Sequence, residues 1–318
     1  MSKDRDADRF PPYVPFHVRA GLKLRKLYRQ SMTRWQERQA ARRPLDAALA
    51  DGEPDQPLVA DAPNPPHAVN KCARWYLEDL ERPDIAPIAQ RMDALKAALT
   101  SRGLKYTNTA GNFLAREFKP ISERGKLWEN AWVVRHADVQ PGQRILDVGG
   151  ASTIFSFYLA SLGCHVTVVD NDWANCGTLY NANHVARAMS WNLRALDRDI
   201  AQPLPFTDGA LDRVFSVCVI EHLPPLLRRF LLGEIGRVLR PGGLAGFTTD
   251  YDATRPVLVT DKGLRFAYWK KFERDVLTPS SLQVHGIADW TDACAADSFL
   301  GAFFLRKPDA GVPAQAAR

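Results

Sequence analysis

From Arg144 onward, short runs of β-branched and apolar residues alternate with longer segments of helical spacing. The clearest runs are Arg144–Val148, His165–Val169, Arg213–Val217 and Leu244–Thr248. A further strand ends near Asp197-Arg198-Asp199-Ile200, and Leu282–Val284 and Ser298–Leu305 bring the total to about seven. Strands joined by helix-length connections pair in parallel, because a parallel neighbour requires a crossover, and the crossover helices cover both faces of the sheet. The pattern predicts an α/β fold with a mostly parallel sheet.

Upstream the periodicity is helical. Residues His17–Arg43 carry an apolar stripe of Leu24, Leu27, Tyr28, Met32 and Trp35 on a basic background. Pro44–Pro66 is rich in Pro, Asp, Ala and Gly and reads as a linker. Helical signals resume at about His67. After Pro83, Ile85, Ile88, Met92, Leu95 and Leu99 share one helix face, and Gly103 is the expected stop. Trp128, Glu129 and Trp132 fall on a further helix closed by Pro141-Gly142. The expected organisation is a basic helix and linker over 1–66, a helical cap over 67–124, the α/β domain over 125–308 and a tail over 309–318.

Charge sharpens this division. The 318 residues carry a net charge of +6, but residues 1–50 alone balance to +7 and the remainder to −1. The basicity belongs to the N-terminal arm, which speaks against a nucleic-acid-binding surface spread over the whole protein. The arm suits contact with a membrane surface, RNA or a protein, or else ordinary packing. No stretch approaches 18 apolar residues, so no transmembrane helix is expected. The first residues run into charge and proline, so no secretory signal is expected. Five widely spaced cysteines without a C-x-x-C pair argue against a disulfide framework or a zinc site and fit a cytoplasmic location. Cys164 and Cys218 sit inside predicted strands, as small buried hydrophobes would.

The candidate chemistry lies at the carboxyl ends of the strands. The first strand enters a glycine turn, Ile145-Leu146-Asp147-Val148-Gly149-Gly150-Ala151-Ser152-Thr153, with a helix expected from about Ser152. Small residues there let the backbone approach a ligand, and the helix N-terminus offers free N–H groups. The next strand ends in Asp170, followed by Asn171; a carboxylate there can accept both hydroxyls of a ribose. Asp199, expected at the third strand's tip, could bond an adenine amino group while Ile200 packs on the ring.

Four ordered segments, ILDVGG, VVDND, DI..PLPFTDGALDRVFSVCVIEHL and EIGRVLRPGG, resemble the class I S-adenosylmethionine-dependent methyltransferases of the type 11, small-molecule branch. The resemblance covers roughly 125–308. It implies a Rossmann-like seven-stranded sheet, S-adenosyl-L-methionine as cofactor, and a small-molecule acceptor such as a lipid or sugar. It places the methionine portion at Asp147, Gly149 and Gly150, ribose at Asp170, adenine at Asp199 and Ile200, and the amino-acid part beside Val217 and Cys218. The chain departs from the family's glycines at Ala151 and Thr153; a threonine at a close-approach point narrows the pocket or shifts its hydrogen bonds.

Other readings of these residues fare worse. A nicotinamide fingerprint aligned on Gly149 needs glycines at Ala151 and Ile154. Methyltransferases of exocyclic base nitrogens carry Asn/Asp-Pro-Pro-Tyr/Phe after the fourth strand, where this chain has Ser216-Val217-Cys218-Val219. The Asn64-Pro65-Pro66-His67 run sits in the linker with no strand before it. An RNA or protein methyltransferase using the basic arm, and an inactive binding domain, remain as alternatives. Methyl transfer is an in-line displacement needing alignment and exclusion of water but no metal. For a hydroxyl or acidic carbon acceptor the candidate bases are His222, then Glu221 and Asp250, with Tyr251 and Asp252 beside it. Aromatics over 105–135 and 254–272 are the expected cover for an apolar or glycosidic acceptor, with Lys126 among the basic residues that would suit an anionic one.

Overall fold

A computed structural model describes residues 70–71, 77–107, 120–150, 152–170, 177–250, 272–286, 288–289 and 300–309. The basic arm, the linker, Ala151, Asn171, Tyr251 and Asp252 lie outside them, as do Phe113, Phe118, Phe266, Tyr268 and Trp269.

The strands are β1 (Asn70–Lys71), β2 (Arg144–Val148), β3 (His165–Asp170), β4 (Leu193–Asp197), β5 (Leu211–Val217), β6 (Leu239–Asp250), β7 (Gln283–Val284), β8 (Ala288–Asp289) and β9 (Leu300–Arg306). The main helices are α1 (Ala86–Ser101), α2 (Pro120–His136), α3 (Ile154–Ser161), α4 (Thr178–Ala188) and α5 (Pro225–Val238). The sheet runs β4-β3-β2-β5-β6-β9, with β7 beside β9 and the two-residue β1 and β8 beyond it. Pairings from β4 to β6 are parallel and β9 is antiparallel to β6. The mostly parallel α/β sheet is therefore as expected, with β1 and β8 as short additions. Asn70–Lys71 pairs as a short strand between β9 and β8 where helix was expected.

Alternation along each strand separates two cores. Ile145, Val166, Val168, Phe215, Leu244 and Phe304 face α1 to α4, while Leu146, Val148, Val169, Val214, Ala245 and Phe303 face α5 and the segment from Phe272 to Leu282. Successive side chains of a strand point to opposite faces, so both cores arise from the same short runs. Trp128 and Trp132 are fully buried in the first core, stacked at 5.3 Å between centroids, and are not acceptor cover. Half-buried Tyr106 packs against that core.

Two sequence segments singled out above hold each other. Glu234 accepts the Leu204 N–H at 2.8 Å, and Arg237 donates to the carbonyls of Leu204 and Phe206 and to Asp208. The Pro-Leu-Pro-Phe loop is thus clamped by α5. That helix stops at Val238, three residues before Pro241, and Leu239–Gly243 continues as the start of β6.

Candidate functional site at the carboxyl edge

The chain leaves β2 toward β3 and β4 on one side, then returns to β5 on the other. The carboxyl ends of β2 and β5 therefore flank the point where strand order reverses, the crevice at which open α/β sheets take ligands. Gly149 continues the β3 pairing through its N–H to the Val169 carbonyl at 2.8 Å, then turns with φ +80°. A Cβ at Gly149 would lie 2.5 Å from Cγ2 of Val219, just past β5. The glycine turn and the end of β5 thus line the same crevice.

Asp147 is buried beneath this turn. Ser156 Oγ donates to its Oδ2 at 2.5 Å, while its Oδ1 has no hydrogen-bond partner among the described residues. Burial pushes its carboxyl up to about 7 against the lowering effect of Ser156, and the charge of Asp170 adds to the rise. Asp170, the last residue of β3, stands on the neighbouring strand two residues beyond Val168, the register partner of Asp147. A Cβ at Gly150 would collide with the Asp147 carboxylate and stand 2.6 Å from Ser156 Oγ, so only glycine leaves this cradle open.

Thr153, where a family glycine was expected, is the N-cap of α3: its side chain accepts from Ser156 N at 3.4 Å. The helix therefore begins at Ile154, not at Ser152. A capping threonine is worth about 1 kcal/mol to a helix. Ser152 instead ties the turn down. Its hydroxyl donates to the Thr178 carbonyl and receives Asn181 Nδ2 at 2.9 Å, and its carbonyl receives the Thr107 N–H at 2.9 Å.

The third strand ends at Asp197, register-paired with Asp170, so Asp199 lies two residues beyond the tip. Asp199 is exposed, and its Oδ1 accepts the Ala201 N–H at 2.9 Å within its own turn. Ile200 is half-buried and packs toward the α5 core.

At the end of β5, Val217 is half-buried and Cys218 follows with a left-handed backbone, φ +52°. Cys164 and Cys218 flank strands and do not lie within them. Cys164 is a buried thiol, raised to about 11 chiefly by burial. Cys218 is no plain hydrophobe: Lys126 Nζ donates to its Sγ at 2.9 Å and the thiol donates to Glu129 Oε1 at 2.8 Å. Its N–H reaches the Thr248 carbonyl at 3.0 Å and Oγ1 at 3.1 Å. Burial and the Glu129 charge hold the thiol well above its ordinary range. Lys126 Nζ lies 2.6 Å from Glu129 Oε2; burial works against its charge, but the charges and hydrogen bonds of Glu129 and Cys218 together outweigh burial and hold the ammonium above its ordinary range.

Ile220–His222 form a 3-10 turn after β5, held by buried Arg228, which donates to the carbonyls of Ile220 and Leu223, each at 2.9 Å. Glu221 is buried and His222 has 63% of its side chain exposed, with Nε2 3.8 Å from Glu221 Oε1. Asp250 ends β6 at the same edge, opposite Leu300. The sequence reading missed Ser156, Val219, Thr248 and Arg228. The spacing of Thr153 and Ser156 is a capping signal; the others come from register.

A family model of the methyltransferase domain matches residues 146–247, the stretch from β2 through most of β6. Over that stretch the chain is similar to a methyltransferase domain. An uncharacterized methyltransferase of Mycobacterium sp. (strain JLS) is 36% identical over 120 residues, 37% of this chain and 42% of that protein. A ubiquinone biosynthesis O-methyltransferase of Burkholderia thailandensis is 28% identical over 134 residues, 42% of this chain and 54% of that one. The chain matches about half the length of these relatives or less. Among solved structures, a Haemonchus contortus phosphoethanolamine N-methyltransferase with S-adenosyl-L-methionine superposes with TM-score 0.45 at 16% identity, covering 57% of this chain and 52% of that one. Among the described residues, no helix is long and apolar enough to cross a membrane and no cluster of three His, Cys, Asp or Glu is placed to hold a metal ion.

Proposed function

We propose that the chain binds S-adenosyl-L-methionine in the crevice between the ends of β2, β3 and β5 and transfers its methyl group to a small-molecule acceptor. The observation that carries this reading is the juxtaposition at the switch point: Gly149 against Val219, with Asp147 and Asp170 coupled beside them. The open cradle at Gly150 and the uncommitted Oδ1 of Asp147 fit a ligand with polar hydrogens near the turn. Asp170 at the end of β3 is suited to ribose hydroxyls. Ile200 supplies apolar surface for a base; the turned-in Asp199 carboxylate offers it little.

The cofactor, when bound, supplies a methyl group on a positively charged sulfur. The chain's task is to hold the acceptor in line with it and keep water out. His222, exposed just past β5 with Glu221 beside it, is the proposed proton acceptor for a hydroxyl or an acidic carbon, with Asp250 at the end of the neighbouring β6 as the second candidate. Relatives named for ubiquinone biosynthesis and for sterol C-24 methylation in Schizosaccharomyces pombe favour an acceptor with a large apolar part.

The test is calorimetric titration with S-adenosylhomocysteine on the wild type and on Asp170→Ala. Binding that is lost in the variant supports the reading; a folded wild type that binds nothing returns the chain to the inactive-domain alternative. A metabolite screen with labelled methyl donor, with RNA alongside and with and without residues 1–50, then assigns the acceptor.

A further inference from the structure

The methyltransferase match begins at Leu146, yet two charged residues of α2, upstream of it, reach the crevice. Lys126 and Glu129 are one helical turn apart and close on the same atom, the Cys218 sulfur, from opposite roles of donor and acceptor. Cys218 occupies a left-handed conformation that costs a residue with a Cβ about 1–3 kcal/mol unless its surroundings enforce it. The enforcement is visible: the N–H is fixed by two oxygens of Thr248 and the thiol by Lys126 and Glu129. The next residue, Val219, is the one that fills the space over Gly149.

We infer that Lys126 and Glu129 are positioning residues for the cofactor pocket: by gripping the Cys218 thiol they hold its backbone left-handed and so set Val219 against the glycine turn. This rests on the cofactor reading above. It gives α2, which lies outside the matched residues 146–247, a part in that site.

The effect travels through one backbone torsion, which makes it separable from general stability. Glycine adopts a left-handed conformation without help, so Cys218→Gly should make the grip redundant. The measurement is S-adenosylhomocysteine affinity by calorimetry on the full chain, at a temperature where each variant is folded. Lys126→Met should weaken binding about tenfold, the worth of losing about half of that conformational restraint. Lys126→Arg should restore it. In a Cys218→Gly background, whatever that background's own affinity, adding Lys126→Met should change nothing further. Lys126 has 33% of its side chain exposed, so its replacement should fold. If it does not, Glu129→Ala, which removes the acceptor of the Cys218 thiol, carries the same cycle.

An unchanged affinity in Lys126→Met, or an equal loss in both backgrounds, overturns the inference while leaving the cofactor reading intact. A wild type that fails to bind S-adenosylhomocysteine removes the cofactor reading itself.

Discussion

The two sides of the crevice are built by opposite strategies. On the β2 side, the turn, the buried Asp147, its Ser156 partner and the Thr153 cap fall within ten consecutive residues. On the β5 side, Cys218 is held by Lys126 and Glu129, about ninety residues earlier, and by Thr248, thirty residues later. The local side is fixed by backbone geometry: a left-handed glycine and a glycine with no room for a Cβ. The assembled side depends on α2, β5 and β6 arriving in register.

Substitutions can break this division. For a hydroxyl acceptor recovered from the labelled-donor screen, His222→Gln should lower the transfer rate by about 10²–10⁴ and leave S-adenosylhomocysteine affinity within about twofold. A full rate in that variant would move the proton acceptor to Asp250 or elsewhere. Gly150→Ala should do the reverse. Its Cβ drives into Asp147 and Ser156, so affinity should fall about a hundredfold, with about 1–3 kcal/mol lost from stability. Unaltered binding there would mean that the cradle is not the ligand's seat.

Asp147 tests the same side through pH. Its folded carboxyl is raised to about 7 from the ordinary 3.8, so between those values the folded state binds the extra proton. Stability of the ligand-free chain therefore falls as pH rises from about 4 to about 7, and is flat above. Asp147→Asn should flatten that slope and raise the unfolding free energy at pH 8, by an amount on the order of a few kcal/mol. An identical pH profile in the variant would show that Asp147 is not the group responsible. The smallest effect belongs to Asp199→Ala. With the carboxylate exposed and bonded to Ala201 N, S-adenosylhomocysteine affinity should change less than about threefold; a larger loss would restore Asp199 as a contact to adenine.

The fold was legible because alternation in the strands and glycine at the turns are local signals. Arg144–Val148 and the strand ending in Asp170 lie where the spacing placed them. Leu193–Asp197 was located only by its acidic end, because Arg194 and Asp197 interrupt its apolar run. Trp128 and Trp132 could have been cover or core, and only the packing of α2 against β9 decides for core. Cys218 was placed at the right edge, but its partners were invisible: nothing in the spacing of Lys126 and Glu129 tells which strand their helix crosses. Thr153 looked like a defect in the glycine turn until α3 was seen to start from it.

The last strand carries a consequence for synthesis on the ribosome. β9 pairs along β6 from Asp250 to Leu244, with β7 on its far side, so residues 300–306 complete a sheet whose crevice strands are already encoded by residue 250. While the nascent chain is still short of β9, the crevice strands can pair, but β6 presents a bare edge carrying Phe247. That interval is when a chaperone, or a second nascent copy, has an unpaired strand to seize.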